Sequence, residues 1–199
     1  MKDVVHDDNE LSELTKLCAN IWKNKARDFM TFEEYLPIAI QLLSDGESPE
    51  DVFDNVGKFR EGFAWVELNF NYNFINQNRE LINPNQWFGG VDSFHEGFAK
   101  VYSIGKGWNF INQNGDILIP NQWFDNVGDF WEGFARVELR GKWNFINQNG
   151  DIAFPNQWFD YADSFHEGFT RVYLNGKGYN FINQKGEYLT PNQWFHSAY

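Results

Sequence analysis

Asp92-Ser-Phe-His95 and Asp163-Ser-Phe-His166 each place a serine two residues from a histidine, with an acid beside them. Those are the residue types of nucleophilic catalysis. On a strand, positions two apart share a face, so hydroxyl and imidazole would point the same way. A working triad also needs an oriented base and donors for an oxyanion, and the surrounding sequence supplies neither. The two histidines are 71 residues apart with no second ligand close by, which is not the spacing of a zinc site. Glu61, Glu96, Glu132 and Glu167 return once per copy of a repeat. An acid in the same frame four times is a structural acid, accepting main-chain N–H groups at a corner or pairing across repeats. Cys18 falls on an apolar stripe and reads as core rather than nucleophile. The glycines mark turns, and none forms a phosphate-cradling loop. No catalytic residue, metal site or cofactor is expected.

The elements that carry these residues are set by a period. Trp87, Trp123, Trp158 and Trp194 are spaced 36, 35 and 36 residues apart, and Gly62, Gly97, Gly133 and Gly168 keep the same rhythm. A fixed period of this length marks a repeat array. Pro49-Glu-Asp-Val-Phe-Asp-Asn-Val56 aligns without gaps on Pro120-Asn-Gln-Trp-Phe-Asp-Asn-Val127, so the copies run 49–84, 85–119, 120–154 and 155–190, with a fragment at 191–199.

Within a copy the apolar period is two, which predicts strands. Phe134–Leu139 is one, with Ala135, Val137 and Leu139 inward and Phe134, Arg136 and Glu138 outward. Trp143–Asn147 is the second, Asn149-Gly150 the hairpin turn, and Asp151–Phe154 the third, stopped by Pro155. Phe130-Trp-Glu-Gly133 is the tight corner before them. The expected fold is mainly β, an open twisted array of four three-stranded meanders. A closed propeller-like ring is the alternative. The fragment 191–199 is expected to lie over the last full repeat.

Residues 1–48 stand apart as a small α-helical cap. Leu11, Leu14, Leu17, Cys18, Ile21 and Trp22 recur at helical steps, with Asp8 or Asn9 as cap. Thr31-Phe-Glu-Glu34 has capping-box spacing and predicts a second helix carrying Phe32, Leu36, Ala39, Ile40 and Leu43. Pro37 is expected to kink it or delay its start, and Gly46 to stop it.

Trp158-Phe-Asp160, Phe165-His-Glu-Gly168, Gly141-Lys-Trp-Asn-Phe-Ile146, Asn149-Gly150 and Ile117-Leu-Ile-Pro120 together resemble the bacterial WG-repeat (KWG-type) family. The resemblance covers 49–199. It implies a β-repeat fold and brings no catalytic motif. The chain departs from the family at the signature glycine, where Asn109, Asn144 and Asn180 follow the aromatic, and where Tyr72 and Tyr179 replace Trp.

The formal net charge is −12 and both parts of the chain are acidic. That excludes ordinary nucleic-acid binding and direct attraction to anionic membranes. A single cysteine permits no intrachain disulfide. The N-terminus shows no signal peptide and no stretch is long enough to span a bilayer, so a cytoplasmic location is expected.

Copies one and three match each other, as do two and four. Phe53-Asp-Asn-Val-Gly57 recurs as Phe124-Asp-Asn-Val-Gly128, and Asp92-Ser-Phe-His-Glu-Gly-Phe98 as Asp163-Ser-Phe-His-Glu-Gly-Phe169. In a repeat protein, function tends to sit where copies differ. Strand one carries Trp65, Lys100, Arg136 and Arg171 at one outward position and Glu67, Tyr102, Glu138 and Tyr173 at the next. Trp131 stands where the others have Arg60, His95 and His166. Trp, Tyr and Arg are the residues of protein-binding surfaces. Trp65, Tyr102, Trp131, Arg136 and Tyr173 are therefore the expected contacts of a protein partner with a basic surface. The expected function is a non-enzymatic interaction module, an acidic inhibitor or immunity-type protein among its forms. Carbohydrate binding and a structural place in a phage particle or appendage are the alternatives.

Overall fold

The computed structural model describes residues 29–196. The helix expected over Leu11–Trp22, and Cys18 with it, lie outside the described residues. The chain divides between Ser48 and Pro49 into two units.

In the first unit, α1 spans Phe32–Ser44. Its start is the capping box: Thr31 Oγ1 accepts the Glu34 N–H and the Glu34 carboxylate accepts the Thr31 N–H at 2.9 Å. Helix α1 runs through Pro37 without a delayed start. A proline in the second turn removes a single intrahelical donor, and the capped first turn is already in place. At the other end Glu47 N–H donates to Leu42 C=O and Gly46 N–H to Leu43 C=O, with Gly46 at φ 92°. That is the paired C-terminal bond set which a left-handed glycine makes possible.

The second unit opens with one helical turn, α2 (Pro49–Val52), and is otherwise β. Four antiparallel three-stranded sheets follow in chain order. They are β1 (Asn55–Val56), β2 (Phe63–Leu68) and β3 (Asn71–Asn76); β4 (Gly90–Val91), β5 (Phe98–Ser103) and β6 (Gly107–Asn112); β7 (Asn126–Trp131), β8 (Phe134–Leu139) and β9 (Lys142–Asn147); and β10 (Tyr161–Ala162), β11 (Phe169–Leu174) and β12 (Gly178–Asn183). Each is a simple meander.

The strands that make up each meander differ from the expectation in one respect. The third strand expected at Asp151–Phe154 is an isolated pairing of Ile152 with Ile146. The leading strand instead comes from the segment before the corner, β7 in the third copy. Asn144 is the reason. It is fully buried, its amide donates to the carbonyls of Phe154 (2.8 Å) and Gln157 (3.0 Å), and its oxygen accepts from Phe145 N–H at 2.7 Å. The turn backbone thus satisfies its carbonyls on a side chain rather than on a ladder. Asn73, Asn109 and Asn180 make the same bonds in their copies.

Period two gives the right alternation but the wrong surroundings. Ala135 and Val137 are buried, as expected. Arg136 pairs in register with Phe145, and opposed residues share a face, yet Phe145 is also buried. Both faces of the sheet are covered. Phe98, Trp108 and Phe110 of the second sheet pack with Ala135, Val137 and Ile146 of the third. Phe134, Trp143 and Phe145 of the third pack with Val172 and Ile182 of the fourth. Leu139 and Trp143 are consequently half-buried, as Arg136 and Glu138 are.

The sheets are linked by the segment that leaves one and opens the next. Phe88, Phe124 and Phe159 bridge back to Tyr72, Trp108 and Trp143, and Phe195 bridges back to Tyr179. Residues 191–196 therefore lie on the edge of the fourth sheet, not beside the first, and the array stays open.

Candidate interaction surface

The corner before each second strand is a two-residue turn with both residues in the left-handed region. Glu61, Glu96, Glu132 and Glu167 have φ 50°, 50°, 53° and 51°, each followed by a glycine at φ 81–89°. A left-handed turn of this kind favours Asn-Gly, and a glutamate there is strained. What it gains is reach. The Glu61 carboxylate accepts the N–H groups of Glu96 and Gly97 in the next copy, both at 2.8 Å. Glu96 does the same for Glu132 and Gly133, and Glu132 accepts Gly168 N–H. For Glu61, Glu96 and Glu132 the structural reading holds in both of its forms at once: each accepts main-chain N–H at a corner, and that corner belongs to the neighbouring repeat.

The alternation of copies has a steric and electrostatic basis. Trp65, Lys100, Arg136 and Arg171 all turn toward the leading strand of their own sheet. A Cβ on Gly57 would stand 2.3 Å from Trp65 Nε1, and one on Gly128 2.8 Å from Arg136 Cγ, so glycine makes room for the large side chain in odd copies. In even copies an aspartate stands there and pairs with a cation: Asp92 with Lys100 at 3.0 Å, Asp163 with Arg171 at 2.8 Å. Lys100 also lies 3.0 Å from Asp129 of the next copy. Burial works against its charge, but Asp129 and Asp92 more than offset that, and its pKa is raised. Asp92 is lowered: burial opposes its charge, and the hydrogen bonds from Lys100 and the Ser93 N–H outweigh it.

These contacts place the five expected partner residues. Trp65 is half-buried over Gly57 and against Tyr72, ring centroids 6.1 Å apart. The Arg136 guanidinium lies 4.9 Å from the Trp143 ring centroid, Nη1 donates to Ala162 C=O at 2.9 Å, and Nε is buried without a partner. Tyr102 packs on Trp108 and Tyr173 on Tyr179, at 5.3 and 4.8 Å. Trp131 stands furthest out, 46% exposed, with His95 at 4.3 Å between centroids. The rim aromatics lie along successive sheets rather than in one cluster, and the Trp131–His95 pair sits on the row of glutamate corners. His95 is taken up by Trp131, with its Nδ1 buried and unpaired. Among the described residues no group of three or more His, Cys, Asp or Glu could hold a metal ion, and no helix is long and apolar enough to cross a membrane.

Sequence reasoning missed Asn73, Asn109, Asn144 and Asn180 as buried anchors. The signal was present as an aromatic-Asn-Phe-Ile-Asn string in every copy. Residues 52–72, 108–143 and 145–177 match the family described as WG containing repeat. The chain carries a WG-repeat segment. Within it the amide at the family's glycine position is what fastens the turn that follows.

No curated protein matches the chain. Among solved structures, the chain is similar to the computationally designed Ika8 protein, at 8% identity and a TM-score of 0.44 over 67% of this chain and 48% of that one. It is similar to Hsv2p of Kluyveromyces lactis at 10% identity and a TM-score of 0.40, over 68% and 50%. For PorZ, a surface component of the type-IX secretion system of Porphyromonas gingivalis, the values are 10% and 0.42, over 72% and 21%. The chain spans about half the length of the first two and a fifth of the third.

Proposed function

We propose that the array is a non-enzymatic interaction module whose partner is a protein with a basic surface. The division between constant and variable positions supports the reading. The buried asparagines repeat their bonds in every copy and the corner glutamates at every internal junction, while Trp131 departs from Arg60, His95 and His166 and is left 46% exposed. An exposed tryptophan flanked by Glu96 and Glu132 combines an aromatic anchor with an acidic surround, which suits a cationic partner.

The experiment is capture of the partner from the native host, then affinity measurements with Trp131→Ala, Tyr102→Ala and Tyr173→Ala. Trp131→Ala is expected to weaken binding by roughly tenfold or more, and binding to weaken as salt rises. Equal affinity in all three folded variants overturns the assignment of this surface. The finer role of inhibitor is decided by whether the captured partner's own activity falls when the array is bound.

A further inference from the structure

Every internal junction of the array has a knob and a socket. The knob is the corner Phe-x-Glu-Gly of one copy, and the socket is the sheet before it. Phe94 packs on Phe63 and Phe74 with ring centroids at 4.8 and 5.0 Å, while Glu61 accepts the N–H groups of Glu96 and Gly97. Phe130 packs on Phe98 and Phe110 at 4.6 and 5.0 Å, beneath Glu96. Phe165 packs on Phe134 and Phe145 at 5.1 and 4.8 Å, beneath Glu132. All three knob phenylalanines are buried.

Among the described residues, one knob and one socket have no mate. Phe59, of Phe59-Arg-Glu-Gly62, is 47% exposed, and the N–H groups of Glu61 and Gly62 meet no acceptor among the described residues. Phe181 is 37% exposed where Phe74, Phe110 and Phe145 are buried, and Phe169 is 42% exposed where Phe63, Phe98 and Phe134 are half-buried. Glu167 has the left-handed backbone of its three counterparts, yet its carboxylate holds no N–H among the described residues.

We propose that the Phe59–Gly62 corner of one copy docks into the Phe169–Phe181–Glu167 socket of a second copy. Phe59 enters between the two rings, and the Glu167 carboxylate accepts the Glu61 and Gly62 N–H groups. The complementarity is that of three junctions already present in the chain, so the occupant is a second copy of the same corner. Ala64, Val66 and Leu68, which would complete a full sheet-on-sheet contact, are already buried. The junction is therefore confined to the corner, and association is weak and concentration-dependent. It is also heterologous, with different surfaces on the two copies, so it propagates head to tail. Two chains of net charge −12 repel, and added salt strengthens the contact by screening.

Sedimentation equilibrium over a wide concentration range tests this, with circular dichroism to verify folding. The parent is expected to form a concentration-dependent ladder of species. Phe59→Ser removes the knob, and Phe181→Ser or Glu167→Lys removes the socket. Each single variant is expected to associate at least tenfold more weakly. A mixture of Phe59→Ser with Phe181→Ser retains one intact knob and one intact socket and is expected to give a 1:1 dimer that grows no further. A parent that stays monomeric at millimolar concentration overturns the proposal. So does association of parental strength in either single variant, which points to a different face. The Trp131 variant leaves this association unchanged, so the two surfaces are tested separately.

Discussion

The Glu96 carboxylate reaches across a repeat boundary to hold the main-chain N–H groups of Glu132 and Gly133, both at 2.8 Å. A glutamate in a left-handed turn carries strain in all four copies, but among the described residues the compensating bonds exist at only three. Glu96→Ala is expected to destabilise the array by about 1–2 kcal/mol, the range for two N–H groups that lose a charged acceptor at a partly wet site. Glu167→Ala, at the same backbone angle with no bond to lose, should change stability by less than about 0.5 kcal/mol. Chemical denaturation of the two variants side by side measures the difference. Equal effects would assign the glutamate a purely local role.

The asparagine amide is the costlier group to remove. Asn144→Ala leaves the carbonyls of Phe154 and Gln157 and the N–H of Phe145 without their partner in a buried site. A loss of about 2–4 kcal/mol is expected. Hydrogen exchange should show the damage concentrated between Phe145 and Gln157. Uniform exchange along the chain would contradict a local anchor.

Odd and even copies differ by a coupled pair. Gly128→Asp alone drives a Cβ into Arg136 and should destabilise by about 1–3 kcal/mol. Combined with Arg136→Lys it recreates the pair that Asp92 and Lys100 make in the second copy. The double variant is expected to recover about 1 kcal/mol relative to the sum of the singles. Strict additivity in the cycle would mean that the alternation is only an imprint of duplication.

The Lys100 group gives the array a pH signature. Asp92 is lowered in the folded state, so its contribution is present above the ordinary carboxylate range and is lost as pH falls through its folded value. Lys100 is raised from 10.5, so its contribution is present below that value and is lost as pH rises through the folded one. Stability is expected to fall at both extremes and to be level between them. Lys100→Met should lower the level region and flatten both arms, as read from melting temperature against pH. An unchanged profile in that variant would remove the ion pairs as the cause.

The architecture was legible where one residue type fixes a conformation. Gly62, Gly97, Gly133 and Gly168 give the period and the corner, and Thr31 with Glu34 gives the start of α1. Alternation along Phe134–Leu139 correctly separates two faces. It does not disclose that both are buried, because Arg136 lays its stem against Gly128 and its guanidinium over Trp143 while remaining polar in type. The leading strand was hidden for a similar reason: Asp125-Asn-Val-Gly128 reads as turn chemistry, and its pairing is supplied by strands that follow it. Asn144 reads from sequence as a strand residue at the family's glycine position, and its burial rests on carbonyls ten and thirteen residues away. The rim positions Trp65, Tyr102 and Tyr173 were visible as differences between copies. The rings they rest on, Tyr72, Trp108 and Tyr179, were not, since cross-strand register decides them.

The bridges Tyr72–Phe88, Trp108–Phe124, Trp143–Phe159 and Tyr179–Phe195 each consist of a reciprocal pair of main-chain bonds. Under tension applied to the two ends of the array they are latches loaded in series. Each guards only the sheet behind it, and none is reinforced by a long parallel ladder. Pulled in this way, the chain is expected to yield one repeat at a time, at low and similar forces, as an extensible tether rather than a rigid strut.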